Sequence, residues 1–143
     1  MSERNYLSAL KDEECVRAFS ARLLDLTGVL QMALQRLSGT DKSFANIGYS
    51  VLTEVYGLRT RSYMLLNDSG GHTVGSLSFS QYDLLSLFDR ITRVVCNAND
   101  LGVVRSVVLS VATLAVSLGE GREKSVDFLF KVLCDDISGW EGA

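Results

Sequence analysis

The chain has no proline among its 143 residues, one histidine and one tryptophan. Proline removes a backbone donor and clashes with the preceding turn, so a chain without it carries none of the strongest helix breaker. The lone histidine, His72, stands in Ser69-Gly70-Gly71-His72, a segment that reads as an exposed turn. No nucleophile, base and orienting group recur together, and no paired-carboxylate motif or phosphate-binding loop is recognisable; Gly119-Glu120-Gly121 reads as a helix stop. The sequence is therefore not expected to encode an enzyme or a cofactor site. Basic runs are also missing, as is any interleaving of basic and aromatic residues, so nucleic acid is not an expected partner. The cysteines, Cys15, Cys96 and Cys134, are odd in number and lack metal-ligand spacing, which suits reduced apolar residues in the cytosol. No hydrophobic signal segment follows Met1-Ser2-Glu3-Arg4. The most apolar stretch, Val103 to Leu118, is short for a membrane span and contains Arg105; it is expected to be a buried core helix, and no transmembrane segment or membrane tail is expected.

What is present fits one folded domain spanning residues 1–143. Apolar residues make up 47% and charged residues 22%, with a net charge of −3. A weakly acidic surface of this kind suits protein partners.

Hydrophobic spacing predicts helices almost throughout. Val16, Phe19, Leu23, Leu26 and Leu30 recur at steps of three and four, and Leu34 and Leu37 continue the stripe; Gly28 is a point where this segment would kink or divide. A second segment, from about Ala45 to Leu66, offers Leu52, Val55, Tyr56 and Tyr63 as its apolar positions. Asn67-Asp68-Ser69-Gly70-Gly71 is the strongest break. Ser78 or Ser80 is placed to cap a third helix carrying Leu84, Leu87, Phe88, Ile91, Val94 and Val95, and Asp100 to cap a fourth. That fourth segment is apolar on nearly every side, with small residues between the valines, and belongs in the middle of a bundle. The last helix carries Val126, Leu129, Phe130 and Leu133 and ends near Ser138-Gly139. The expected fold is all-α: a bundle of about six or seven helices around a central hydrophobic one.

The second half of this pattern resembles the Bcl-2 family. In place of that family's first homology motif, Asn-Trp-Gly-Arg before an apolar helix, the chain has Asp100-Leu101-Gly102-Val103 followed by Val104 to Val116. In place of the second, a Gly-Trp followed by an acidic residue, it has Gly139-Trp140-Glu141. Leu52 with Tyr56-Gly57 is the best counterpart of the third motif, and Val16, Phe19 and Leu23 match the fourth. The resemblance covers roughly Leu52 to Trp140 and is closest to small viral pro-survival members such as those of iridoviruses. It implies a groove between the second and third helices, floored by the start of the fourth, that holds the homology-3 helix of pro-death proteins by its apolar anchors. The positions implied are Leu52, Tyr63, Arg90, Arg93, Val94, Asp100, Gly102, Val103 and Val107. Bim is the first expected partner, then Bak or Bax, with a homodimer across the empty groove and a location in host cytoplasm, peripheral at mitochondria. The other reading is a Bcl-2-like adaptor of host signalling that binds no death ligand.

Each of these residues also has a plainer reading. Val94 suits the core, Tyr63 a covering position, Arg90 and Arg93 a solvated face, Asp100 a helix cap, and Trp140 the packing of the bundle end. One departure stands out: the family's arginine, which pairs with an aspartate of the ligand, is Val103 here, and Arg90 or Arg93 is the expected substitute.

Overall fold

The first helix begins where its sequence offers a cap. Asp12 accepts a hydrogen bond from the Cys15 N–H at 2.9 Å, and Glu13 and Glu14 lie in the first turn, where the helix dipole favours negative charge. The computed structural model describes residues 7–119 and 123–142. Five α-helices run through them: α1 (Glu13–Ser38), α2 (Tyr49–Asn67), α3 (Gln81–Asn97), α4 (Leu101–Gly119) and α5 (Glu123–Glu141). A π-helical turn, Phe44–Gly48, leads into α2, and a 3-10 turn, Ser69–His72, follows it. The expected six or seven helices are thus five, because Gly28 does not divide α1 and the two short turns are not independent helices.

α1 buries the whole predicted stripe from Val16 to Leu37. It packs between α2 and α3 and also touches α4. Its cross-links are polar. Arg22 binds Asp89 and the Leu85 carbonyl of α3, and Arg59 of α2 donates to Gln31 at 2.6 Å.

α2 corrects the sequence reading of its face. Of Leu52, Val55, Tyr56 and Tyr63, only Val55 is fully buried; Leu52 is half-buried and both tyrosines are exposed. The inward residues are Val51, Val55, Leu58, Ser62 and Leu65, with the Ser62 hydroxyl satisfied by donating to the Leu58 carbonyl at 2.9 Å. A tyrosine reads as apolar by composition, but the aliphatic stripe buries more completely.

The segment before α1 is tied to the stretch before α3. Ala9 N–H donates to Phe79 O at 3.0 Å, Val74 N–H to Leu10 O at 2.8 Å, and Gln81 N–H to Leu7 O at 2.9 Å. Ser80 is the cap of α3, in a reciprocal box with Asp83. Phe79 then stacks on Phe130 of α5 with ring centroids 3.7 Å apart. The Ser78 N–H and hydroxyl both donate to Asp127 of α5.

α4 is capped twice. Asp100 accepts from the Val103 N–H at 3.0 Å, and Asp41, far away in sequence, accepts from the Leu101 N–H at 2.7 Å. α4 touches all four other helices, as a central helix should. It is not enclosed by them, however. Leu101, Val104, Val107, Val111 and Leu114 are buried, while Arg105, Ser106, Leu109, Thr113 and Val116 form an exposed stripe. The neighbours cover one broad face, so the expectation of a helix surrounded on every side is corrected. By length and apolarity this helix alone among the described residues would suffice to cross a membrane, but half of that window is buried inside the bundle. α5 buries Val126, Phe130, Leu133 and Ile137, and continues through Ser138-Gly139 to Glu141. α4 ends at Gly119; Glu120 and Gly121 lie outside the described residues.

Candidate functional site

The end of α3, the start of α4 and the end of α5 enclose a concavity of about 370 Å³. Its position follows from how the chain turns. α3 stops at Ala98, and Arg36 of α1 donates to the Ala98 and Val95 carbonyls at 3.0 and 3.4 Å, closing that helix end from outside. Asn99 and Asp100 make the turn, and the Asp100 carboxylate folds back onto the first turn of α4. Gly102 leaves it room, since a Cβ there would come within 3.0 Å of an Asp100 oxygen.

Val94, Val103 and Trp140, each half-buried against the core, supply the apolar part of the lining. Arg93, Asn97, Asp100 and Glu141 supply the polar part. Beside it, Arg90 grips Glu141 with two hydrogen bonds, of 2.6 and 3.0 Å, and reaches Ser138 at 3.4 Å, clasping α3 to α5. These bonds hold the Glu141 carboxyl below the usual carboxylate range and raise Arg90 further. Arg93 lies one turn further along α3, exposed; its guanidinium has no hydrogen-bond or ion-pair partner among the described residues and adds a weaker pull on Glu141. The half-buried Cys134 thiol is pushed up by burial, against the opposing influence of Arg90, so it is not a ready thiolate.

Four residues singled out from the sequence therefore meet here: Arg93, Val94, Asp100 and Val103. Arg90 stands beside the concavity in its clasp and Gly102 in the adjoining turn. Val107 lies in the core, with none of its surface exposed, and does not line it. Leu52 and Tyr63 are on α2, which contributes nothing to this lining. α2 instead bounds a second, smaller concavity of about 230 Å³ with α4, lined by Ser50, Val51, Glu54, Arg105, Val108 and Leu109. The two hollows lie on opposite flanks of α4, and α1 packs between α2 and α3, so Leu52 and Tyr63 are not brought to the hollow that gathers Arg93, Val94, Asp100 and Val103.

Asp100 acts as the helix cap that its plainer reading allowed, while also facing the concavity. Trp140 likewise packs the bundle end and lines the hollow. Asn97 and Glu141 were not singled out from sequence; Glu141 carried a signal in its place next to Trp140. His72 is more enclosed than an exposed turn residue, its side chain 18% accessible, with Nδ1 2.8 Å from the Asp68 carbonyl.

No protein-family model, curated protein or solved structure matches this chain. The site must be read from its own chemistry. Among the described residues it offers an apolar floor, the uncommitted Arg93 guanidinium and two flanking carboxylates. That set suits an amphipathic segment inserting an apolar side chain and presenting an acid to Arg93.

Proposed function

We propose that the chain is a helix-binding protein of Bcl-2 type that sequesters the homology-3 helix of pro-death partners, Bim first and then Bak or Bax, and so opposes host-cell death. The observation that carries this reading is the convergence of Arg93, Val94, Asp100 and Val103 on one hollow beside Trp140. At about 370 Å³ the hollow is near the small end of ligand pockets, which run from about 300 to 1,000 Å³. It accommodates one or two anchors.

The test is calorimetric titration of a Bim-type homology-3 peptide into the purified protein and into Val103→Asp. Placing a carboxylate against an apolar anchor costs several kcal/mol, on the order of a hundredfold or more in affinity. Unchanged affinity in a folded variant removes Val103 from the site, and a wild-type protein that binds no such peptide ends the death-ligand reading. The placing of Leu52 and Tyr63 away from this hollow favours a second reading in that event, a Bcl-2-like adaptor of host signalling that uses its surface without a death ligand.

A further inference from the structure

The charged groups around the hollow beside Trp140 differ in how they are satisfied. Glu141 is spent on Arg90, through bonds of 3.0 and 2.6 Å. Arg36, at the Ala98 edge, is spent on the Ala98 and Val95 carbonyls. That leaves Arg93 on α3 and Asp100 at the head of α4, both exposed and both lining the hollow. Among the described residues they form no ion pair with each other, and no lysine or arginine pairs with Asp100. The Asp100 Oδ1 accepts the Val103 N–H at 3.0 Å, and its other oxygen accepts no hydrogen bond among the described residues. Asp41 is a second carboxylate on the same helix start, bonded to the Leu101 N–H at 2.7 Å. Lys42 follows it in sequence but forms no ion pair with either carboxylate. Two full negative charges outweigh the roughly half positive charge that a helix N-terminus supplies, so this rim of the hollow is negative.

We propose that Asp100 sets the selectivity of this hollow. It favours a partner helix that carries a lysine or arginine on the same face as the acid offered to Arg93, with the apolar anchor between them, and it disfavours a helix with acids alone. The proposal rests on the helix-binding reading above. Complementary charge selects this occupant. A ligand acid gains nothing at the head of α4, where Asp41 and Asp100 already hold the Leu101 and Val103 N–H groups and repel like charge. It is left to Arg93. A ligand base meets the open oxygen of Asp100. Val103, uncharged and half-buried in the lining, does not neutralise that carboxylate and leaves it for the ligand. On one face of a helix, residues three, four or seven apart are neighbours, so acid, anchor and base fit within about two turns. Capping and recognition do not compete, because the cap uses only Oδ1.

The test is calorimetry on the intact chain with a Bim-type homology-3 peptide, and with the same peptide carrying glutamine in place of each lysine or arginine in turn. The proteins are wild type, Asp100→Asn and Asp25→Asn. Asparagine caps a helix as well as aspartate does, so Asp100→Asn removes the charge and keeps the cap, which circular dichroism verifies. Asp25, exposed on α1, controls for net charge. Asp100→Asn is expected to weaken the parent peptide roughly two- to fivefold, as for a partly exposed ion pair. One glutamine peptide is expected to bind wild type equally weakly and to lose nothing further with Asp100→Asn, and Asp25→Asn to have no effect. Unchanged affinity in Asp100→Asn overturns the proposal, and so does tighter binding, which means that Asp100 only repels the ligand's acid. An equal loss in Asp25→Asn overturns it too. So do glutamine peptides that all bind wild type as tightly as the parent, a result that needs no variant. In each of these outcomes wild type still binds, and the selectivity fails alone. A wild-type chain that binds no such peptide ends the helix-binding reading and this selectivity with it.

Discussion

Gln81→Ala should be the most informative single perturbation of this fold. Gln81 is 1% exposed at the start of α3, and its amide serves two other segments. Its Oε1 accepts from the Leu10 N–H at 3.0 Å, and its Nε2 donates to the Cys15 carbonyl of α1 at 2.9 Å. Leu10 is itself 2% exposed and has φ of 59°, in the left-handed region that costs a residue with a Cβ roughly 1–2 kcal/mol. It keeps that conformation because both its backbone groups are bonded, the N–H to Gln81 and the carbonyl to the Val74 N–H at 2.8 Å. Truncation to alanine removes two hydrogen bonds worth about 1 kcal/mol each and leaves a buried N–H unsatisfied at about 1–3 kcal/mol. Release of the Leu10 strain and undocking of the segment return part of this, so a net loss of about 2–4 kcal/mol is expected. For a chain of this size that lowers Tm by roughly 5–15 °C. Urea unfolding followed by circular dichroism measures it, and amide exchange localises it: Ala9, Leu10 and Val74 should lose protection before the amides of α1. A loss below about 0.5 kcal/mol, or uniform loss of protection across the helices, would refute the argument that one buried amide holds the N-terminal segment to the bundle.

Arg93→Ala, paired in a double-mutant cycle with a peptide whose aspartate is alanine, should show coupling of about 1 kcal/mol, as for a partly exposed ion pair; the same cycle with Arg90→Ala should show less, since Glu141 already occupies that guanidinium. Stability should fall in acid through Asp41 and Glu141. Asp41 is held below its ordinary value of 3.8 by the Ser43 hydroxyl, then by the Leu101 and Ser43 N–H groups, and Glu141 below 4.5 by Arg90. A carboxyl whose pKa drops on folding contributes stability above its unfolded value and loses it as pH falls through the folded one, so Asp41→Asn should flatten the pH dependence below about pH 4 in denaturation midpoints. Leu114→Ala, at a site 1% exposed in α4, should cost about 2–5 kcal/mol by urea titration. Gly48→Ala should also destabilise, because its Cβ would lie 2.6 Å from the Phe44 ring; an unchanged melting temperature would mean that the ring swings aside freely.

Much of the helical fold could be read along the chain, because periodicity and capping are local. The stripe from Val16 to Leu37, the Ser80 cap and the Asp100 cap each depend on residues a few positions apart, and each stands where spacing put it. The same holds for the cluster of Arg93, Val94, Asp100 and Val103, which a short turn keeps together. Distance along the chain is what hid the rest. Asp41 capping α4, Arg36 closing α3, Gln81 holding Leu10, and Arg90 clasping Glu141 all join residues tens of positions apart, and no local pattern marks such pairs. Composition also misjudged two faces. α2 turned its tyrosines outward because an aliphatic stripe was available to bury, and α4, nearly apolar all round, kept a stripe at the surface because four helices could cover only one side of it. Which elements are helices was a property of neighbouring residues. Which faces they hide, and which side chains meet at the hollow beside Trp140, was decided only when the helices competed for one core.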